Sequence, residues 1–418
     1  MDRRFLGLVL GINQTLSWGM TFYLPAIVAD PVARSFGASH VAVLGAFSWA
    51  LLITGACMPR VGRWIDRHGG RGSLLTSIVV MSAGQVLLAA APGLPLWYVG
   101  WTVVGIGMAM GLYDAAFATV GSLLGREAGP TITGITLVAG FASTVFWTLG
   151  ASLIGPFGWR GLLLFYAALM LAVNLPMVWL LVPAAAPSSE AKRQKEVENR
   201  QPVNRTAVAC LAGFFTLRWF ITSAIAVNVL MLLQGIGLTV TESVAVAALI
   251  GPGQVAGRVI EWSIGSRVGL LVRARLAALL FPVAAATLPI GGPAIATGFA
   301  VLYGMSNGIM TINRGTLPLA LFGPAGYATM LGWLAVPVQL AQATAPTLAA
   351  PLVSALPALD VFLIAGGLGG LAFLLLLPLR LPSIGADAPL TAGSQADDAP
   401  PPAAAAVPPG HGYRSGSC

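Results

Sequence analysis

Three charged side chains stand where an apolar environment is least hospitable to them. Arg218 lies 12 residues into a long apolar run, Arg314 near the middle of a second and Asp114 near the middle of a third. At 1.5 Å per residue, Arg218 is about 18 Å from the start of its run. A charge at the centre of a membrane costs roughly 2.5–3.5 kcal/mol on insertion scales, and such residues mark ion or substrate pathways. Arginine stays protonated and grips a carboxylate through two parallel hydrogen bonds. Arg218 and Arg314 therefore suit a small organic anion. Asp114 is a candidate to offset one of them or to take up a coupling proton; the alternative is a structural ion pair with no substrate contact. Glu242 and Asp360 fall at the ends of runs and are expected to face water.

Helical spacing sorts the polar residues around these charges. Asn307, Thr311, Arg314 and Pro318 recur at i, i+4, i+7 and i+11, one face of a helix. Gly107, Gly111, Asp114 and Ala118 repeat that pattern, and Arg218 shares a face with Thr222. Near the start of the chain Asn13, Gln14, Ser17 and Thr21 form a polar stripe with Trp18 beside it. Such faces are wasted on lipid, so all ten polar positions are expected to point inward, toward a bound substrate. Trp18, Tyr113, Trp147 and Trp219 suit packing or interfacial anchoring as well as a cavity wall.

The elements that carry these residues follow from composition. The 418 residues are 57% hydrophobic and 9% charged, with a mean hydropathy of +0.84. Soluble domains carry roughly 25% charged residues, so the solvent expected here is lipid. About 20 apolar residues cross the hydrocarbon layer. Windows of that size fall at 5–28, 39–59, 73–92, 97–124, 132–155, 160–182, 206–233, 240–260, 271–291, 294–322, 328–353 and 358–381. This predicts an all-α membrane protein of twelve spans: a six-helix bundle over 1–182, a polar linker over 183–205 and a second bundle over 206–381. A tail rich in alanine and proline over 382–418 is expected to be disordered. The apolar run after Met1–Arg4 reads as a first span rather than a signal peptide.

Charge placement gives orientation. Eighteen of the 22 lysines and arginines fall on one side when both termini are cytoplasmic; Arg34 and Arg160 fall on the other side, and Arg218 and Arg314 within spans. The net charge of +8 is dispersed between apolar runs, which argues against a nucleic-acid partner. His40, His68 and His411 are scattered, and Cys57, Cys210 and Cys418 have no ligand spacing, so neither metal nor cofactor is expected. Lys192 and Lys195 are the only lysines, and neither sits in a phosphate-binding loop. An enzyme or ATP-driven pump is therefore not expected, and the reading is a monomeric transporter in a bilayer.

The halves repeat. Gly62-Arg63-Trp64-Ile65-Asp66 is echoed by Gly257-Arg258-Val259-Ile260-Glu261, and Gly107-Met108 with Gly111 by Gly304-Met305 with Gly308. The offsets of 195 and 197 residues are nearly equal. The loop from Gly62 through Asp66-Arg67-His68-Gly69-Gly70 to Arg71 resembles the signature of the major facilitator superfamily. The resemblance covers residues 5–381. It implies two pseudo-symmetric six-helix bundles, and a role for Gly62, Asp66, Arg67 and Arg71 in holding one conformational state; by the repeat, Arg258 and Glu261 join that gating set. Phe36-Gly37, Gly45-Ala46-Phe47-Ser48, Pro59 and Val61-Gly62-Arg63 resemble the branch of monocarboxylate porters and oxalate–formate exchangers. That branch implies a monocarboxylate as substrate; the runner-up is a permease exporting drugs or other toxic compounds. Two features depart from relatives: Trp101 stands where proton-coupled members often carry arginine, and Gly155-Pro156 lies at the outer end of the fifth span rather than inside it.

Overall fold

The computed structural model describes residues 2–184, 204–265 and 267–381. Most of the predicted linker and the whole predicted tail lie outside the described residues. Among the described residues every regular element is a helix. The first span is α1 (Arg3–Met20) and α2 (Pro25–Phe36), joined by a turn; α3 (His40–His68) and α4 (Gly70–Ala90) are the second and third. The fourth is α5 (Leu94–Gly111) followed by α6 (Tyr113–Leu124). The fifth is α7 (Gly129–Ala139) and the start of α8 (Ala142–Leu169). At Gly158 the backbone turns through φ 64°, and the rest of α8 forms the sixth span with a π-turn over Met170–Asn174 and α9 (Leu175–Leu181).

The second half follows the same order. It comprises α10 (Arg205–Gly235), α11 (Val240–Ala248) with α12 (Ile250–Ile264), α13 (Leu270–Gly291), α14 (Ala296–Phe322), α15 (Tyr327–Ala355) and α16 (Ala358–Leu376). The molecule is thus two six-span bundles. Two sequence boundaries move. The first span breaks at Thr21 instead of running to Val28, and the eighth continues to Ile264 instead of ending at 260. That extension places Arg258 and Glu261 inside a helix, where polarity alone had suggested its end.

The breaks in spans 4, 5 and 6 explain the polar stripe of α1. Lipid offers no hydrogen bonds, so a broken helix must find partners for its freed backbone groups within the protein. Leu112, extended at φ −80° and ψ −170°, ends α5. The carbonyls stranded there are taken up by side chains: Ser73 Oγ donates to Met110 O at 2.7 Å, and Gln14 Nε2 to Gly111 O at 2.7 Å. At the break in span 5, Thr15 Oγ1 donates to Val138 O at 3.2 Å. At the π-turn, Asn13 Nδ2 donates to Asn174 Oδ1 at 2.9 Å, and Asn174 Nδ2 to Ser17 Oγ at 3.4 Å. Thr21 returns its hydroxyl to Ser17 O at 2.6 Å. The large core cluster of this half also takes in Leu319, Tyr327, Ala328, Leu331 and Ala343 of the other, whose remaining core forms three clusters, and a small fifth cluster joins Met58 and Ala109 to Ala335.

A second echo between the halves is absent from the sequence comparison. Arg71, on α4, donates to Trp179 O in the last turn of α9. Arg275, on α13, donates to Leu376 O at 3.1 Å, Leu377 O at 3.0 Å and Leu379 O at 2.9 Å, at the end of α16. In each half the third span caps the carbonyl end of the sixth, where the helix dipole favours a cation. Arg275→Ala is expected to destabilise the protein by about 1–2 kcal/mol, read as a lower melting temperature in detergent; an unchanged melting temperature would remove this cap from the account.

The two halves meet at the Asp66 end. On one side the contacts come from α3, α6 and α7, on the other from α12, α14 and α15. Gly62 is required here. A Cβ at that position would lie 2.2 Å from Ala328 O and 2.9 Å from the Thr329 Cα, both backbone atoms that cannot yield.

Candidate functional site

Asp114 and Arg314 meet across the halves. Arg314 Nε donates to Asp114 Oδ1 at 2.8 Å and Nη2 to Oδ2 at 2.6 Å, the two-pronged geometry expected of a guanidinium on a carboxylate. Asp114 lies in the first turn of α6, where the break at Leu112 creates a helix N-terminus in mid-span. The positive end of that helix favours the carboxylate. The guanidinium stacks over Trp219 at 5.0 Å. Apolar residues surround the pair: Phe215, Leu331, Leu334, Ala335 and Val338 line the small void beside it.

Arg218 is 1% exposed and belongs to the C-terminal half alone. Its Nη2 donates to Asn307 Oδ1 at 2.8 Å and Ser306 Oγ at 3.2 Å, and its guanidinium lies over Phe281 at 5.2 Å. Thr222 Oγ1 donates to the same Asn307 oxygen at 3.1 Å, and Thr311 Oγ1 donates to Asn307 O. Arg218 Nε and Nη1 have no hydrogen-bond partner among the described residues. The structure therefore gathers Arg218, Thr222, Asn307 and Thr311 into one cluster and joins Asp114 to Arg314. It turns Asn13, Gln14, Ser17 and Thr21 away from the meeting of the halves, into the N-terminal bundle. Polar periodicity says that a face avoids lipid; it does not say which interior the face enters.

Arg258 crosses from the second half of the molecule to the first. It stood with the gating loop by analogy with Arg63. Instead its Nη1 reaches the break in span 5, where a Cβ on Gly140 would lie 2.2 Å from it. The residue is 5% exposed, and its Nε has no hydrogen-bond partner among the described residues. Among the described residues no carboxylate pairs with it. A signal did exist: helical side chains lean toward the helix start, so a long arginine six residues before Ile264 reaches back toward mid-membrane. Tyr23 and Tyr113 belong to an aromatic wall with Trp18, Phe22, Phe47 and Trp147, whose ring centroids lie 4.8–5.7 Å from their neighbours.

The signature loop reaches a helix end in the other half. Asp66 accepts from Ala328 N at 3.2 Å, Thr329 N at 2.8 Å and Thr329 Oγ1 at 2.6 Å. It caps the positive end of α15 from the other half of the molecule. Beside it Tyr327 Oη donates to Gly315 O at 2.6 Å. Arg67 is exposed, Arg71 caps its own half, and Glu261 pairs with Arg273 rather than Arg258.

The two bundles thus meet on a signature-loop cap and a mid-span ion pair. Residues 9–346 match the family model described as Major Facilitator Superfamily. The chain belongs to this superfamily. As a superfamily member it is a membrane transporter, and solved structures share its fold. The human organic anion transporter MFSD10 (TETRAN) superposes with a TM-score of 0.69 at 19% identity, covering 90% of this chain and 98% of that one. The E. coli fucose:proton symporter FucP gives 0.67 at 15% identity, covering 88% and 97%. In sequence, a Multidrug resistance protein B homolog of Mycobacterium tuberculosis is 28% identical over 187 residues, which is 42% of this transporter. The match spans about a third, 32%, of that relative's length.

Proposed function

We propose that this transporter moves a small organic anion, a monocarboxylate with an apolar body, by alternating access between its two bundles. The observation that carries the reading is Arg258: a buried cation at the break of span 5 with no carboxylate partner among the described residues. A buried charge without a counter-ion is costly, and a substrate carboxylate would supply the counter-ion. The aromatic wall would take the apolar remainder. Arg218 and Asn307 would stiffen the C-terminal side of the site, and Arg314 with Asp114 its floor. Gly62 and Asp66 would hold the Asp66 end closed, and charge bias favours a cytoplasmic position for that end and for both termini. The same aromatic wall, with the partial likeness to a multidrug resistance protein, favours export of hydrophobic drugs as a second reading.

A thermal-shift screen of the purified protein separates the two. Short-chain monocarboxylates are expected to raise its melting temperature and lipophilic cations to leave it unchanged. Stabilisation by the cations alone would replace the first reading with the second.

A further inference from the structure

We propose that Arg273 keeps Arg258 available to the substrate by holding Glu261 away from it; the inference rests on the anion reading above. Arg258 and Glu261 stand three residues apart on α12, and they are 5% and 4% exposed. Residues at i and i+3 are neighbours on a helix surface. A helical side chain also leans toward the helix start, so Glu261 would by default lie over the turn that carries Arg258. An arginine and a glutamate so placed, both out of water, have a strong electrostatic reason to pair. They do not. Glu261 Oε1 accepts from Arg273 Nη1 of α13, and among the described residues no carboxylate pairs with Arg258.

Arg273 is itself fixed in place. Its Nε donates to Val268 O at 2.9 Å, in the connection between α12 and α13. Its Nη1 lies beside Gly265, where a Cβ would be 3.4 Å from it. The guanidinium is thus anchored past the end of α12 and draws the carboxylate that way. Arg258 Nη1 points to the other side, to the break in span 5. The N-terminal half shows the same separation by other means. Arg63 and Asp66 occupy the equivalent positions on α3; Asp66 is taken up by Ala328 and Thr329, and Arg63 is exposed. In that half the displaced acid latches the two bundles together. In the other it is stored within its own bundle, which leaves the buried arginine to a ligand. Arg273 is a positioning residue: its partner is Glu261, not the substrate.

The test measures butyrate binding to the purified full-length protein by calorimetry, which reads affinity per folded molecule. Arg273→Gln releases Glu261 to Arg258 and is expected to weaken binding about tenfold or more, the worth of one charge-assisted hydrogen bond that the ligand must then displace. Arg273→Lys keeps the charge and is expected to restore most of the affinity. The double variant Arg273→Gln/Glu261→Gln removes the competing carboxylate and is expected to recover binding, which a merely structural loss at Arg273 would not do. Arg273→Met, of similar length and uncharged, asks the same question should Arg273→Gln not fold. Wild-type affinity in Arg273→Gln overturns the proposal, as does a double variant that stays weak. If Arg258→Gln loses butyrate while Arg273→Gln binds like wild type, the anion reading stands and the role of Arg273 falls. If wild type does not bind butyrate, or Arg258→Gln binds it equally well, both fall.

Discussion

Arg258→Gln is expected to weaken anion binding on the order of 100-fold, the loss of a desolvated, two-pronged charge-assisted contact. Uptake into proteoliposomes should fall in step. Arg258→Lys keeps the charge and loses the planar fork, so an intermediate loss of about tenfold is expected. The same substitution has an opposite effect on the empty protein. Arg258 has a buried Nε without an acceptor and no carboxylate partner among the described residues. Removing an uncompensated buried charge relieves a desolvation penalty, so ligand-free Arg258→Gln should melt higher than wild type. A residue that merely braces the fold would move both readouts downward. Wild-type affinity in Arg258→Gln would end the anion reading.

The second large effect is conformational. Gly62→Ala places a methyl group 2.2 Å from Ala328 O. Overpacking of this kind costs typically 1–3 kcal/mol. Here the strain acts only where the two halves touch, so it falls on the closed arrangement and not on either bundle alone. It also pulls Asp66 from the three groups it accepts from on Ala328 and Thr329. A penalty of about 2 kcal/mol shifts the ratio of closed to open molecules roughly 30-fold. Spin labels at Arg67→Cys and Ala325→Cys, in a background with Cys57, Cys210 and Cys418 replaced, would read this as a longer distance distribution. An unchanged distribution would show that Gly62 does not govern closure.

Much of the architecture was legible because membranes impose simple rules. Apolar length gave the spans, and the glycine-aspartate-arginine loop gave the family. The site was less legible, for reasons particular to each residue. Asp114 and Arg314 stand 200 residues apart, and nothing local tells a carboxylate which distant arginine it will meet. Arg258 sits near a helix end, where an arginine looks like a topology signal until the reach of its side chain is counted. Gln14 and Asn13 carry the right polarity for a binding face, but their partners are backbone breaks and a π-turn in neighbouring spans, which hydropathy does not register.

The stripe on α1 has a mechanical meaning. With Thr15 beside it, it bolts one helix to the weak points of three others, spans 4, 5 and 6: Gln14 by way of Gly111, Thr15 by way of Val138 and Asn13 by way of Asn174. Broken helices ordinarily behave as joints. With these joints pinned, the N-terminal bundle becomes a stiff plate, whereas the break between α11 and α12 lies in a bundle whose apolar interior is already partitioned. Motion between the two faces of the membrane is therefore expected to be unequally shared, the first bundle swinging as a lever and the second bending.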